Sequence, residues 1–222
     1  MFRRIMRIAL TGGIACGKST AASFFGKHGC RVISTDALAR ELMESPPIIE
    51  HLRERFGAGI FGADGSVSRH DLGEIIFADK RERLWLENLL HPAINARWIA
   101  QVDAGENECW VVEIPLLFEK KLETHFDFSI CVHCADSTQM SRMAARGLDA
   151  REVECRLRAQ WSLEEKMHRA TVCLFNEGTP LFLEQQICAL LACLPQTPPF
   201  TFPSTFYKAC PLTKLPPTPP LA

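Results

Sequence analysis

The chain has 222 residues, with 25 Lys+Arg against 26 Asp+Glu and a formal net charge of -1. That length suits one domain, or one domain with an insert, and the even charge balance argues against a dedicated nucleic-acid binder. The 47% hydrophobic and 23% charged residues are ordinary for a globular protein. No apolar run approaches the roughly 20 residues that span a bilayer, so no membrane partner is expected.

Met1-Phe2-Arg3-Arg4 has the charge of a signal-peptide start, but the apolar stretch after it, Ile8 to Leu10, is far too short for one. Met6 is an alternative start, and the expected location is the cytoplasm. Ten cysteines are too many for chance packing to go unremarked. In a cytoplasmic chain of this size they read as reduced, mostly as small hydrophobes among Val, Ile, Leu and Phe.

In chain order, Ile5–Thr11 reads as a buried strand, residues 18–28 as a helix, and Cys30–Thr35 as a second strand. The segment 36–104 lacks strand signals. It opens with a helix over Ala37–Met43 and holds two more over Ser68–Ala78 and Asp79–Ala104. Trp110–Ile114, Phe126–Val132 and Thr171–Phe175 read as further strands. Thr179-Pro180 has the N-cap and first-turn proline of a final helix. Strands alternating with helices predict an α/β fold, a parallel sheet with helices on both faces and a helical insert over about 36–104.

Composition shifts at Pro195: residues 195–222 carry nine of the 14 prolines and no acid. Such a segment cannot build a helix or sheet interior. The expected folded unit is therefore 1–194, followed by a disordered Pro-rich tail that offers a ligand for an unknown partner. No obligate protein partner is evident.

The strongest chemical signal is Gly12-Gly13-Ile14-Ala15-Cys16-Gly17-Lys18-Ser19, the G-x-x-x-x-G-K-[ST] phosphate loop set between a strand and a helix. Glycines let the backbone curl so that N–H groups cradle phosphate, and the helix adds its positive end. Lys18 reaches the β- and γ-phosphates of ATP, Ser19 offers a hydroxyl to Mg²⁺, and Thr20 adds an α-phosphate contact. No base-reading Asn-Lys-x-Asp of a guanine-nucleotide switch is present.

A small-molecule kinase built on such a loop needs a carboxylate at the acceptor hydroxyl and arginines near the transferring phosphoryl group. Asp36, at the end of the second strand, suits the first need, and equally suits the N-cap of the following helix. Arg142 and Arg146, four apart on one helical face, suit the second. With Arg151, Arg156 and Arg158 they otherwise read as a solvated face. Cys16 sits at a helix N-terminus, where thiol pKa values fall; it reads either as a passive small residue or as a thiol whose oxidation or alkylation blocks ATP binding. Cys131-Val-His-Cys134 lacks a second ligand pair for zinc and reads as core.

These residues resemble the dephospho-CoA kinase family over about residues 6–194. Carrying the resemblance are Ile8–Gly13, Asp36–Arg40, Phe56-Gly57, Asp64-Gly65, Arg69, Leu72, Phe77, His91-Pro92-x-Ile94 and Pro115–Glu119. Gln139, Arg142, Arg146, Gln160, Glu164–Lys166, Asn176 and Gly178 continue it. It implies a P-loop kinase fold with an acceptor-binding helical insert and an arginine-bearing lid over about 137–169. It also implies transfer of the ATP γ-phosphoryl group to the ribose 3′-hydroxyl of dephospho-CoA, giving coenzyme A.

By the same resemblance, Asp36 is the acceptor base, Lys18 a phosphate contact, and Arg142 a lid residue, with Arg146 beside it. Gly12, Gly13, Ala15, Cys16, Gly17, Ser19, Thr20, Asn176 and Gly178 serve the nucleotide. Arg40, Arg69, His91, Pro115 and Leu116 serve the acceptor. His91-Pro92 reads equally as a helix-breaking turn. The family usually has Asp at both ends of the stretch that here reads Ser34-Thr35-Asp36, which bears on metal affinity. Another small-molecule kinase and a non-catalytic nucleotide-binding protein stay open as alternatives.

Overall fold

The computed structural model describes residues 5–105, 108–147 and 150–194. The tail expected from residue 195 lies outside them, as does the side chain of Arg151.

Five strands form one parallel sheet: β1 (Met6–Gly12), β2 (Arg31–Ser34), β3 (Cys109–Glu113), β4 (Phe128–His133) and β5 (Val172–Phe175). Their order across the sheet is β2-β3-β1-β4-β5. β1 is flanked by β3 on one side and β4 on the other. The chain therefore reverses its winding direction at β1, and the crevice beyond the carboxyl end of β1 is where open α/β sheets bind ligands.

Alternation along the strands builds two cores. Met6, Ile8 and Leu10 of β1, with Val111 and Ile130, face α1 (Lys18–Lys27) and the last helix, Pro180–Cys193, through Phe25, Leu183 and Ile187. Ala9, Val112 and Ile114 face the other way, onto a core completed by Leu52, Leu90, Ile94 and Trp98. Those four come from the helices between β2 and β3: α2 (Thr35–Met43), α3 (Pro46–Phe56), α4 (Arg69–Ala78) and α5 (Lys80–Asp103). Neither core could be closed by the strands alone.

The segment between β4 and β5 folds as three short helices, α6 (Asp136–Ala145), α7 (Ala150–Arg158) and α8 (Leu163–Arg169), and the last helix is α9 (Pro180–Cys193). The chain leaves α6 through Gly147, at φ 75°, and α8 opens with a capping box between Ser162 and Glu165.

Two local expectations are corrected. Pro92 sits inside α5 and does not break it. Pro92 and Asn88, whose carbonyl loses its helical partner, are both exposed, so water can serve that carbonyl. The N-cap of α2 is Ser34, whose Oγ accepts from Ala37 N at 3.4 Å. Asp36 lies within the first turn, two residues after the cap, which leaves its carboxylate free of capping.

Candidate active site

The loop from Gly12 to Ser19 leaves β1 and enters α1. Two glycines are obligatory for steric reasons. A Cβ on Gly12, at φ 144°, would sit 2.1 Å from the Val132 carbonyl oxygen, and one on Gly17, at φ 96°, would sit 2.0 Å from Asn176 Nδ2. Ala15 also holds a positive φ, 56°, a local strain of the kind that functional loops retain.

This curled backbone is anchored from behind. Gln139 Nε2 donates to the Ile14 carbonyl at 2.8 Å, and Asn176 Nδ2 to the Cys16 carbonyl at 2.9 Å. With those carbonyls held outward, the N–H groups of the first turn of α1, which lack helical partners, remain for an anion. Lys18 Nζ donates to the Gly13 carbonyl at 2.9 Å and more weakly to that of Gly12. Burial pulls the Lys18 ammonium below its ordinary pKa, opposed chiefly by the Glu113 carboxylate.

Glu113 was not singled out by the sequence. It ends β3 beside Leu10, is only 5% exposed, and accepts from Ser19 Oγ at 3.1 Å. Its backbone carbonyl accepts from Thr35 Oγ1 at 2.9 Å, which ties the start of α2 to the same point. The available signal was an acid closing a buried Trp-Val-Val run, where a solvent-facing residue is the ordinary reading.

On the other side of Glu113 lies a cavity of about 300 Å³ lined by Asp36, Leu90, His91, Ile94, Pro115 and Leu116, among others. Asp36 also contributes to the field at Lys18. The cavity therefore lies near enough to the phosphate loop for one of its lining carboxylates to act on Lys18. Burial, then the nearby Lys120 ammonium, keeps His91 below the usual imidazole pKa, so it is neutral near pH 7.

Arg142 Nη2 donates to the Asn176 carbonyl at 3.1 Å, and its buried Nη1 has no hydrogen-bond partner among the described residues. A buried guanidinium nitrogen left open beside a phosphate loop is suited to an oxyanion. Asn176 contributes from behind the loop through its own side chain. Arg146 is exposed at the end of α6, and Arg40 and Arg69 are exposed on α2 and α4 without lining the cavity. Gly178, at φ 82°, turns the chain into α9, and Thr20 is exposed on α1.

A second unit gathers, around Lys166, residues that the family resemblance had named separately. Lys166 is fully buried, and its Nζ donates to the Pro115 carbonyl at 2.7 Å and to Gln160 Oε1 at 2.8 Å, while pairing with Glu119 at 3.0 Å. Glu119 also accepts from Trp161 N at 2.8 Å.

Of the two readings of Cys16, the structure favours the passive one. Burial raises its thiol pKa, outweighing a 3.5 Å contact with Cys134 and the field of Lys18. Burial likewise pushes Cys134 up to about 12 and Cys131 above the usual thiol range.

The dephospho-CoA kinase family model matches residues 6–181. The dephospho-CoA kinase of a Synechococcus species is 38% identical over 85% of this chain and 93% of its own. That of Bacillus licheniformis is 39% identical over 83% and 94%. Among solved structures, a Thermus thermophilus protein superposes with a TM-score of 0.73 at 34% identity, covering 85% of this chain and 97% of its own. The dephospho-CoA kinase of Campylobacter jejuni superposes with a TM-score of 0.59 at 26% identity, covering 85% and 96%. The phosphate loop, the acid at the end of β3 and the acceptor cavity thus occur in a chain that belongs to the dephospho-CoA kinase family.

Proposed function

We propose that the protein transfers the γ-phosphoryl group of ATP to the ribose 3′-hydroxyl of dephospho-CoA, releasing ADP and coenzyme A, the last step of coenzyme A synthesis. The observation that carries this reading is the junction of the phosphate loop with a cavity that Asp36 lines, in a chain of this family.

In this reading the loop N–H groups and Lys18 hold the triphosphate. Asp36 orients the 3′-hydroxyl and takes its proton as the new O–P bond forms and the bond to the ADP oxygen breaks. Arg142 supplies the open Nη1 to charge on the phosphoryl oxygens. The cavity and the helices around it exclude water, which would otherwise accept the phosphoryl group.

Ser19 and Glu113 fit Mg²⁺: a hydroxyl and a buried carboxylate, both hard oxygen donors, at the mouth of the phosphate loop. Among the described residues no group of three or more His, Cys, Asp or Glu is arranged to hold a metal. That suits an ion that arrives with ATP phosphates and keeps its waters. Bound there, Mg²⁺ would neutralise phosphate charge. No helix among the described residues is long and apolar enough to cross a membrane, in keeping with the proposed cytoplasmic location. Residues 36–104 serve the acceptor, and α6 to α8 form the lid.

The deciding experiment incubates the purified protein with Mg-ATP and, separately, dephospho-CoA, AMP, shikimate and gluconate, and identifies the product. Coenzyme A formed from dephospho-CoA alone is the expected result. Transfer to another acceptor instead, or ATP binding with no transfer, would overturn it.

A further inference from the structure

Two rows run side by side along α5, each stepping four residues at a time: Leu86, Leu90, Ile94 and Glu87, His91, Asn95. Both line the acceptor cavity, because residues four apart share a helical face. The members of the polar row are already committed in different ways. Glu87 Oε2 accepts from Lys120 Nζ at 2.6 Å. Asn95 Oδ1 accepts from the Trp98 indole Nε1 at 3.1 Å, and Trp98 is fully buried in the core below.

That second bond fixes the direction of the amide. An indole N–H only donates, so the Asn95 oxygen must face it. The amide NH₂ is then turned to the opposite side, and among the described residues it has no protein partner. The cavity therefore offers an apolar wall of Leu86, Leu90 and Ile94 with the Asn95 amide beside it, whereas Lys120, also on its lining, is already paired with Glu87.

Asp36 lines the same cavity. In dephospho-CoA the base and the 5′ arm are each three bonds from the carbon that carries the 3′-hydroxyl, so with that hydroxyl at Asp36 either can reach the cavity. The pantetheine arm is joined through a charged diphosphate, which an apolar-walled cavity disfavours. A flat heteroaromatic ring with lone pairs on its edge suits both the wall and the donor.

We propose that Asn95, oriented by Trp98, reads the acceptor's base by donating a hydrogen bond to a ring nitrogen of its adenine. Asn95 is thereby a specificity residue. This rests on dephospho-CoA being the acceptor.

The test uses dephospho-CoA and its 1-deaza, 3-deaza and 7-deaza adenine analogues, each with one ring nitrogen replaced by C–H. Wild type, Asn95→Leu and Asn95→Asp are compared by steady-state kinetics. Asn95→Asp keeps an oxygen for the Trp98 N–H, so the core partner survives while the donor is lost, and its melting temperature should stay near wild type.

In wild type, one analogue loses about tenfold in kcat/KM, chiefly through KM, the scale of one lost hydrogen bond. Both variants lose a similar factor on dephospho-CoA itself and no longer distinguish that analogue from it. Wild type accepting all three analogues equally would overturn the proposal, as would variants that keep the penalty. Wild type failing to turn over dephospho-CoA at all would instead defeat the acceptor assignment, and this proposal with it.

Discussion

Ser19 donates its hydroxyl to Glu113 across 3.1 Å, joining the first turn of α1 to the last residue of β3. In the proposed reaction this is the place for the cation, because the hydroxyl and the carboxylate both offer hard oxygen donors there. Glu113→Gln keeps the size and removes the charge. It should raise the Mg²⁺ concentration needed for half-maximal rate by about 10- to 100-fold, the scale seen when a supporting ligand of a metal is lost. Magnesium titrations of the turnover rate check this, and an unchanged midpoint would exclude Glu113 from the ion's surroundings.

The Asp36 carboxylate adds to the field at the Lys18 ammonium, and Asp36 lines the neighbouring cavity. Lys18→Ala and Asp36→Asn should each lower kcat by at least about 10²-fold. ATP binding, measured by calorimetry, should weaken in the first and persist in the second. A rate near wild type for Asp36→Asn would remove Asp36 from the base role.

Much of this site was legible in the sequence. The glycine spacing has one physical solution, a curled loop between strand and helix, and Gly12 and Gly17 meet their neighbours at distances no side chain tolerates. What escaped was whatever depends on strands pairing across the chain. Glu113 becomes functional only because β3 lies beside β1. Lys166 becomes structural only because α8 brings it to Pro115, 51 residues away in sequence. The choice of Ser34 over Asp36 as N-cap depends on backbone φ and ψ at the end of β2, which composition does not encode.

Lys166→Met tests the buried pair directly. It would leave the Glu119 carboxylate, only 11% exposed, without its cation. Breaking one partner of such a pair costs about 3–5 kcal/mol. Denaturant unfolding should show that loss, and a variant as stable as wild type would mean that water takes over the role of the ammonium.

Cys16 and Cys134 are buried with raised thiol pKa values, whereas Cys188 and Cys193 are exposed. N-ethylmaleimide at neutral pH should therefore label Cys188 and Cys193 first and Cys16 slowly, with mass mapping as the readout. Cys16 labelling should accelerate as pH rises above the ordinary thiol range, since only the thiolate reacts. Fast labelling of Cys16 at neutral pH would show that the loop opens on its own.

His91 gives a pH signature. Its folded pKa lies below the ordinary 6.5, through burial first and Lys120 second. Between the two values the unfolded chain binds the extra proton, so stability rises with pH there. The contribution is fully present above about 6.5 and is lost as pH falls through the folded value. The melting temperature of wild type should fall relative to His91→Gln on acidification through that window. His133, shifted in the same direction by burial, is common to both proteins and cancels in the difference.

The bonds from Lys166 to Pro115 and Glu119 have a mechanical consequence. They rivet α8 to the floor of the acceptor cavity, while Gln139 and Asn176 rivet the start of α6 and the end of β5 to the phosphate loop. Between them α7 runs from the glycine at 147 to the turn at Gln160, held to α4 by Arg156 over Phe77 at 5.1 Å and to Ala15 and Met143 by the buried Val153. If α6 to α8 close over ATP as proposed, the tied ends on either side leave α7 as the span that must move, and its stack on Phe77 as a contact that such movement would break.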